Sequence, residues 1–261
     1  MARPSRGWPA PSTSPASTTA GSAASACRSG GQTTTKVIRF NWPKYLGPLA
    51  IAAAALVADA AGSPGWIRYP LWAVFVPGGV WTLTSLAATW WVYDHRKVYE
   101  RLTADLPDAG EWAAVHAGFD DSVPVLRAAI GRPPVTVAEI AISPGASLRR
   151  ARKLSQRSTA AGLSLTASSL DSIFVTFAAH EVRDTAGQRA LFTALQRALR
   201  PGGRLIVTEH SRDAANFAVY GPGALHFQPL ATWYARAGEA GLTGTNQMSI
   251  TPFVRRAVFQ R

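Results

Sequence analysis

Histidines and glutamates recur from residue 110 onward, most of them close to the end of a hydrophobic segment. They are His116, His180, Glu181, Glu209, His210 and His226. An imidazole beside a carboxylate can move a proton when it lies within hydrogen-bond reach of a substrate. We therefore predict that His180 or His210 acts as a catalytic base. Glu181 or Glu209 is predicted to orient that base.

The same side chains offer metal chemistry as an alternative, because imidazoles and a carboxylate can hold zinc or iron. No H-x-H or H-x-x-x-H spacing occurs among the five histidines. The one cysteine, Cys27, supports neither a disulfide nor a thiolate metal site. The sequence therefore favours a site without a bound metal.

From residue 110 onward, short hydrophobic runs alternate with amphipathic segments, which is typical of an α/β domain. The predicted strands are 112–116, 135–140, 173–178, 204–209, 244–250 and 253–260. The predicted helices are 122–131, 147–156, 188–200 and 229–240. Such elements form a mostly parallel sheet covered on both faces, and right-handed crossovers bring the strand ends to one edge. We expect three of the histidines and two of the glutamates to meet at that edge, where these sheets bind ligands: His116, His180, Glu181, Glu209 and His210.

The first hundred residues have a different composition. Residues 1–35 are mostly Ser, Thr, Ala, Pro and Gly, and we predict a disordered tail. Two long runs follow, 45–61 and 69–93, in which Asp59 is the only charged residue. Their length and the aromatic clusters at both ends of the second run are typical of transmembrane helices. We predict a transmembrane hairpin within 36–100 and one α/β domain over 101–261; two helices buried in a soluble protein are the alternative.

The net charge of +12 is unevenly distributed. Residues 1–58 contain basic residues and no acidic one, and a second basic cluster at 95–101 follows the second run. The loop between the runs holds Arg68 as its one basic residue. The positive-inside rule then places both termini and the α/β domain in the cytoplasm. Basic clusters beside hydrophobic runs favour contact with anionic membrane lipids, and we expect no nucleic-acid partner.

The second half of the chain resembles the class I S-adenosylmethionine-dependent methyltransferases. Segment 195–208, LQRALRPGGRLIVT, is similar to the helix, L-x-P-G-G turn and fifth strand of that family. Ala240-Gly-Leu242 precedes the closing strands in a similar way. The resemblance covers about residues 110–261. It implies a Rossmann-like sheet, mostly parallel, with an antiparallel closing strand.

A narrower resemblance is to membrane-attached methyltransferase-like proteins, in which two transmembrane helices and a Tyr-Asp pair precede the domain. Tyr93-Asp94 stands at that place here. The strings VHAGFDDS (115–122), AHEVRD (179–184) and EHSRDAANF (209–217) also resemble that subgroup, as do His226-Phe227, Trp233 and Thr251-Pro-Phe253. This resemblance implies an enzyme held at a membrane.

The family resemblance also implies a pocket for S-adenosylmethionine at the ends of the first two strands. The loop beneath the methionine part of the cofactor would be formed by His116, Ala117, Gly118 and Phe119. Glu139 would bind the ribose, and Asp171 would lie near the adenine. The loop departs from the family pattern, because Gly118 stands alone where three glycines are usual and His116 replaces an acidic residue.

These features predict an S-adenosylmethionine-dependent methyltransferase that acts at the membrane. Its acceptor is expected to be a lipid or another small molecule. That acceptor would either dissolve in the membrane or lie close to it. The alternative, which the single loop glycine favours, is a non-catalytic methyltransferase fold that serves as a membrane scaffold or regulator. Cofactor binding distinguishes the two, since only the enzyme requires it.

Overall fold

A computed structural model describes residues 30–104, 106, 108–140 and 165–261. The described chain begins with two long helices, α1 (Gly30–Ala60) and α2 (Gly65–Trp90). A short turn, residues 61–64, joins them. Residues 30–35, which we predicted to be disordered, form the first turns of α1. The predicted basic helix 147–156 lies outside the described residues.

The two helices pack against each other as an antiparallel hairpin. Trp72 donates a hydrogen bond from Nε1 to Asp59 Oδ2 (2.8 Å) near the turn, and Gly78 lies beside Pro48 further along. Among the described residues, one helical stretch, Gly65–His95, is long and apolar enough to cross a membrane. Helix α1 does not meet that criterion. By length and composition, the second of the two predicted spans could therefore cross a membrane, whereas the first does not pass the same test.

A short connection fixes the hairpin to the α/β domain. It consists of a π-helical turn, Trp91–His95, and a 3₁₀ turn, Val98–Arg101. Leu102 follows them into the core. Arg256, which is buried in the sheet, donates hydrogen bonds from Nη1 to the carbonyls of Leu102 (3.2 Å) and Ala104 (2.6 Å). The hairpin is thus attached through packed side chains and backbone-directed hydrogen bonds.

Six strands form one sheet in the order β2-β1-β3-β4-β6-β5. Their bounds are β1 Trp112–His116, β2 Thr136–Glu139, β3 Leu170–Thr176, β4 Leu199–His210, β5 Thr243–Thr251 and β6 Val254–Gln260. Strands β1 to β4 are parallel, and β6 lies antiparallel between β4 and β5. This confirms the predicted α/β sheet with an antiparallel closing strand. The chain runs from β1 to β2 and then crosses back to β3, so a ligand crevice is expected beyond the ends of β1 and β3.

Helices cover both faces of the sheet, because its strands carry apolar side chains on both sides. The helices of the domain are α3 Ser122–Ile130, α4 Thr185–Ala198, α5 Ala214–Tyr220 and α6 Leu230–Glu239. Phe192 of α4 packs with Trp233 of α6 on one face. Leu126 of α3 packs with Trp112 on the other. The strand ends are therefore held in place by two separate layers of core.

Strand β3 begins at Leu170, earlier than the predicted start at 173. Asp171 therefore lies at the edge of the sheet opposite to the other predicted site residues. Its Oδ2 accepts a hydrogen bond from the Glu111 backbone N–H (2.7 Å), and Arg200 Nη1 lies 2.9 Å from the same oxygen. The structure does not bring Asp171 together with the other predicted cofactor residues. The Asp171 carboxylate instead ties together the starts of β1, β3 and β4.

Candidate active site

The ends of β1 and β2 bring two of the predicted cofactor residues side by side. His116 and Glu139 occupy paired positions in the parallel ladder, and the Ile140 N–H donates to the His116 carbonyl (2.9 Å). Both side chains are buried. Burial lowers the pKa of His116, so its imidazole is neutral at pH 7. This corner of the sheet edge combines a neutral imidazole with a carboxylate.

The loop after β1 carries the other predicted cofactor residues, Ala117, Gly118 and Phe119. Gly118 has a φ of 86°, a left-handed conformation that disfavours any residue with a side chain. Phe119 packs edge-on against Phe40 of α1, with ring centroids 5.1 Å apart. Helix α1 therefore lies directly over this loop.

Glu209 fixes the orientation of His180 at the ends of β3 and β4. Its Oε1 accepts hydrogen bonds from the backbone N–H groups of Ala178 (2.8 Å) and Ala179 (2.7 Å). His180 donates from Nδ1 to Glu209 Oε2 (2.6 Å). Glu209 is 2 % exposed and His180 is 8 % exposed. The imidazole therefore has one ring orientation, in which Nε2 points away from Glu209.

Glu181 joins His180 to His226. Its Oε1 lies 3.5 Å from Nε2 of His180 and 3.4 Å from Nε2 of His226. Burial alone would lower the pKa of His180, but Glu209 and Glu181 outweigh burial and raise that pKa to about 10. Burial would likewise raise the pKa of Glu181, yet its interactions with His180 and His226 hold that pKa below its usual range. His180 is therefore charged at pH 7 and lies between two carboxylates.

His226 reaches this cluster from a 3₁₀ turn, Gly221–His226, rather than from a strand end. Arg212, which follows β4, donates from Nε to the Phe227 carbonyl (2.8 Å) and from Nη2 to the Leu225 carbonyl (2.9 Å). These two hydrogen bonds hold the turn beside the sheet. Arg183 lies on the exposed side of the His226 ring, with Nη2 3.0 Å from Nε2.

His210 has a different environment from His180. Its Nδ1 donates to the Phe253 carbonyl (3.0 Å), which leaves Nε2 to accept from the Tyr93 hydroxyl (3.3 Å). Burial and the positive charge of His180 lower the pKa of His210 to about 4. Of the two predicted bases, His210 is therefore neutral and His180 is charged at pH 7. Neither has the pKa near neutrality that best suits a general base.

A cavity of about 360 Å³ lies between the hairpin and this edge of the sheet. Its wall on the sheet side includes Ala117, Phe119, Thr176, His180, Glu181, His210 and His226. Its wall on the hairpin side includes Phe40, Lys44, Tyr45, Trp81, Ser85 and Tyr93. The hairpin therefore forms part of the site as well as preceding it in the chain.

No protein-family model matches the chain, and no curated protein matches it. Solved structures do match. The chain is similar to the pyocyanin biosynthetic protein PhzM, with a TM-score of 0.53 and 15 % identity over 87 % of this chain and 72 % of that one. It is also similar to a SAM-dependent methyltransferase from Aquifex aeolicus (TM-score 0.46, 16 % identity, 64 % of this chain and 89 % of that one). A further match is the N-methyltransferase NodS from Bradyrhizobium japonicum with S-adenosyl-L-homocysteine (TM-score 0.41, 19 % identity, 64 % and 85 %).

The chain has the class I S-adenosylmethionine-dependent methyltransferase fold. In this methyltransferase fold the cavity lies beyond the ends of β1 and β3, which is where the topology predicts a ligand crevice.

The strings 179–184 and 209–213 have structural roles in the methyltransferase fold as well as carrying histidines and glutamates. Asp184 caps α4 by accepting a hydrogen bond from the Gly187 N–H (2.6 Å). Asp213 caps α5 by accepting from the Asn216 N–H (2.9 Å). Each aspartate thus caps the helix that follows a strand end. The aspartates in these two strings therefore have a structural role, whereas the histidines line the cavity.

Sequence reasoning missed most of the aromatic side chains that line the cavity of the methyltransferase fold. Phe177 comes directly after β3 and stacks on His210, with ring centroids 5.1 Å apart. Its φ of 49° is unusual for a bulky residue, and backbone strain of this kind is concentrated at functional sites. The apolar run 173–178 predicted a continuous strand, so nothing in the sequence indicated that Phe177 leaves the strand and enters the cavity wall. Other missed residues in the cavity wall are Tyr99, Tyr220 and Phe227.

Proposed function

We propose that this chain is an S-adenosylmethionine-dependent methyltransferase whose acceptor is a lipid-soluble or membrane-proximal molecule. The observation that carries the proposal is the cavity, whose wall joins the loop after β1 to both helices of the hairpin. A methyl donor at the loop and an acceptor against α1 and α2 would share one enclosed space. Proximity of this kind accounts for a large part of the rate enhancement in a transfer between two molecules.

The residues at the ends of β1 and β2 fit S-adenosylmethionine. Glu139 offers a buried carboxylate at the strand end where such folds bind ribose hydroxyls. Gly118, with its left-handed φ, lets the backbone approach a ligand closely because it has no side chain. His116 is neutral, and a neutral imidazole can accept a hydrogen bond from an ammonium group, as a carboxylate does.

When bound, S-adenosylmethionine supplies a methyl group: its carbon bonds to the acceptor while the carbon–sulfur bond breaks and the sulfur keeps the electron pair. An acceptor that starts protonated must also lose a proton. His180, Glu181 and His226 form the polar corner of a largely aromatic cavity, and we place the reacting atom of the acceptor at that corner. Glu209 then positions His180, and His210 positions the Tyr93 hydroxyl.

The hairpin supports a membrane location for this site. Large apolar side chains are exposed along it: Leu49, Leu56, Val57, Val74, Val76 and Val80. Exposed apolar surface of this extent suits contact with lipid rather than water. We propose that membrane lipids surround the hairpin, that both termini and the domain are cytoplasmic, and that the acceptor reaches the cavity from the bilayer.

Cofactor binding and methyl transfer test this proposal together. The purified protein, in detergent or lipid nanodiscs, is titrated with S-adenosylmethionine and then incubated with methyl-labelled cofactor and a membrane lipid extract. We expect saturable binding and label in the organic phase. Glu139→Gln is expected to weaken binding by about tenfold or more, since it removes a charge-assisted hydrogen bond to the ribose. Asp171→Asn, at the opposite edge of the sheet, is expected to bind normally.

Two results would contradict the proposal in different ways. Absence of binding at millimolar cofactor would contradict the proposal that the chain is an enzyme and would favour the non-catalytic scaffold. Weakened binding in Asp171→Asn with normal binding in Glu139→Gln would contradict the placement of the cofactor at the ends of β1 and β2.

A further inference from the structure

The polar corner of the cavity has the spacing of a metal site. His180, Glu181 and His226 each offer one ligand atom, and these three atoms lie within 4.8 Å of one another. The two nitrogen atoms lie 3.5 Å and 3.4 Å from the glutamate oxygen, which is long for direct hydrogen bonds. Two ligand atoms about 2.1 Å from one ion, at a tetrahedral angle, lie about 3.4 Å apart. The observed separations match that geometry.

We propose that His180, Glu181 and His226 bind one divalent transition-metal ion through these three atoms. Two imidazoles and one carboxylate suit zinc or iron(II), whereas calcium and magnesium prefer oxygen ligands alone. All three residues line the cavity, so the ion would lie in its wall.

Glu209 provides the support that metal-bound histidines usually have. A metal-binding imidazole almost always donates its second ring N–H to a carboxylate or a carbonyl. His180 donates in this way to Glu209 (2.6 Å), and two backbone N–H groups hold the other oxygen of Glu209. The His180 ring is therefore already oriented, and an ion that binds Nε2 would displace the proton that this nitrogen carries at pH 7.

The segment that carries His226 is also held in place. Arg212 fixes it through hydrogen bonds to the carbonyls on both sides of His226. Arg183 acts against an ion, because its guanidinium lies on the His226 ring. Its side chain is exposed and can turn into solvent. Arg183 should therefore weaken metal binding without preventing it.

Three protein ligands leave coordination positions open, as in catalytic rather than structural zinc sites. The open side faces the cavity, where an oxygen atom of the acceptor could complete the coordination. A hydroxyl bound to the ion would lose its proton more readily, and no side chain would then need a pKa near 7. This role rests on the proposed function; the binding of the ion does not.

Metal binding is measured directly on the full chain. The tag-free protein carries Cys27→Ser, which removes its only thiol. It is stripped with a chelator, dialysed against zinc and analysed for zinc per chain; cobalt(II) absorption spectra report the ligands. We expect about one zinc per chain. His226→Ala should weaken binding by about 100-fold or more, and Glu209→Gln by about 10- to 100-fold. His95→Ala should not change it, and Arg183→Ala should bind at least as tightly.

Cofactor binding is measured on the same samples, so that the two proposals can fail separately. Retained cofactor binding by His226→Ala would show that this variant is folded. Far less than one zinc per chain in the parent, or equal zinc affinity in the parent and His226→Ala, would overturn the metal site. Zinc binding without cofactor binding would support the proposed metal site and contradict the proposed methyltransferase function.

Discussion

At the scale of single residues, a comparison of two glycines distinguishes the effect of backbone strain on stability from the effect of a ligand contact on binding. Gly118 in the cofactor loop and Gly131 at the end of α3 have φ values of 86° and 80°. A Cβ on Gly131 would meet no atom within 4 Å. Alanine at either position should cost about 1 kcal/mol of unfolding free energy, since an L-residue is disfavoured there.

Only Gly118→Ala should also weaken S-adenosylmethionine binding, by about tenfold, because Gly118 lies where the backbone approaches the ligand. Thermal unfolding and calorimetric titration of both variants check this prediction. Equal cofactor affinities in Gly118→Ala and Gly131→Ala would contradict it.

The two buried histidines should give opposite pH dependences of stability. His210 has a folded pKa of about 4 against 6.5 when unfolded, so between these values only the unfolded state binds its proton. Stability should therefore fall as the pH is lowered from 7 toward 4, by about 3 kcal/mol from this residue at 1.36 kcal/mol per pKa unit. His180, with its raised pKa, is protonated in both states at pH values well below 6.5, so its contribution is constant there. That contribution is lost as the pH rises from 6.5 toward about 10.

The variant His210→Asn tests whether His210 causes the loss of stability as the pH is lowered. We expect the difference in unfolding free energy between pH 7 and pH 4.5 to be smaller in the variant than in the parent. Denaturant unfolding in detergent at the two pH values measures it. Parallel pH profiles for parent and variant would show that His210 is not held neutral.

The histidines and glutamates of the site could be predicted, because polar residues that directly follow buried strands meet at one edge of a parallel sheet. His180, Glu181, Glu209 and His210 do so. Asp171 could not be placed, since its position depends on where β3 starts and the sequence signal began at 173. The contact between His226 and Glu181 was also out of reach, because it depends on Arg212 holding a distant turn in place.

At the scale of elements, the attachment of the hairpin determines the shape of the cavity. A Cβ on Gly221 would clash with the Trp81 ring of α2, and Thr84 donates to the Val219 carbonyl (2.8 Å). Lys36 of α1 pairs with Asp121 beyond the cofactor loop. Both helices therefore contact the domain at sites next to the cavity wall.

Gly221→Ala should push α2 away from the domain. Its left-handed φ of 54° and the contact with Trp81 should together cost about 2 to 3 kcal/mol. Gly241→Ala is the matched control, since Gly241 has a φ of 81° and open space around it; it should cost about 1 kcal/mol. Hydrogen exchange within 81–90 should rise only in Gly221→Ala. Equal exchange in both variants would show that this contact does not hold α2.

The order of elements followed from the alternation of apolar and amphipathic segments, and each of the six strands was found close to its predicted place. The extent of α1 did not follow, because its first turns contain Gly, Gln and Thr and no apolar stripe. Contacts of α1 with the cofactor loop, such as Phe40 with Phe119, are tertiary and give no local signal.

At the scale of the whole molecule, the docked hairpin limits how far the chain can reach into a bilayer. From Trp81 onward α2 packs against the domain, and Thr89 and Val92 are buried. The remaining stretch, 65–80, is about 24 Å long at 1.5 Å per residue, compared with a hydrocarbon core of about 30 Å. At the turn, the charge of Asp59 is matched by Arg68 at 3.9 Å. We therefore expect the domain to lie against the membrane surface, with the turn just reaching the far side.

Single cysteines in the Cys27→Ser chain test this topology in spheroplasts of an expressing bacterium. Ala61→Cys, at the turn, should react with a membrane-impermeant maleimide in intact spheroplasts. Thr243→Cys, on the exposed start of β5, should react only after lysis, because the proposed topology places the domain inside the cell. The distance to the far side is short, so lengthening the acyl chains in proteoliposomes should reduce labelling of Ala61→Cys and leave Thr243→Cys unchanged. Labelling of both cysteines only after lysis would mean that the hairpin lies within one leaflet, and the acceptor would then enter the cavity from the cytoplasmic leaflet alone.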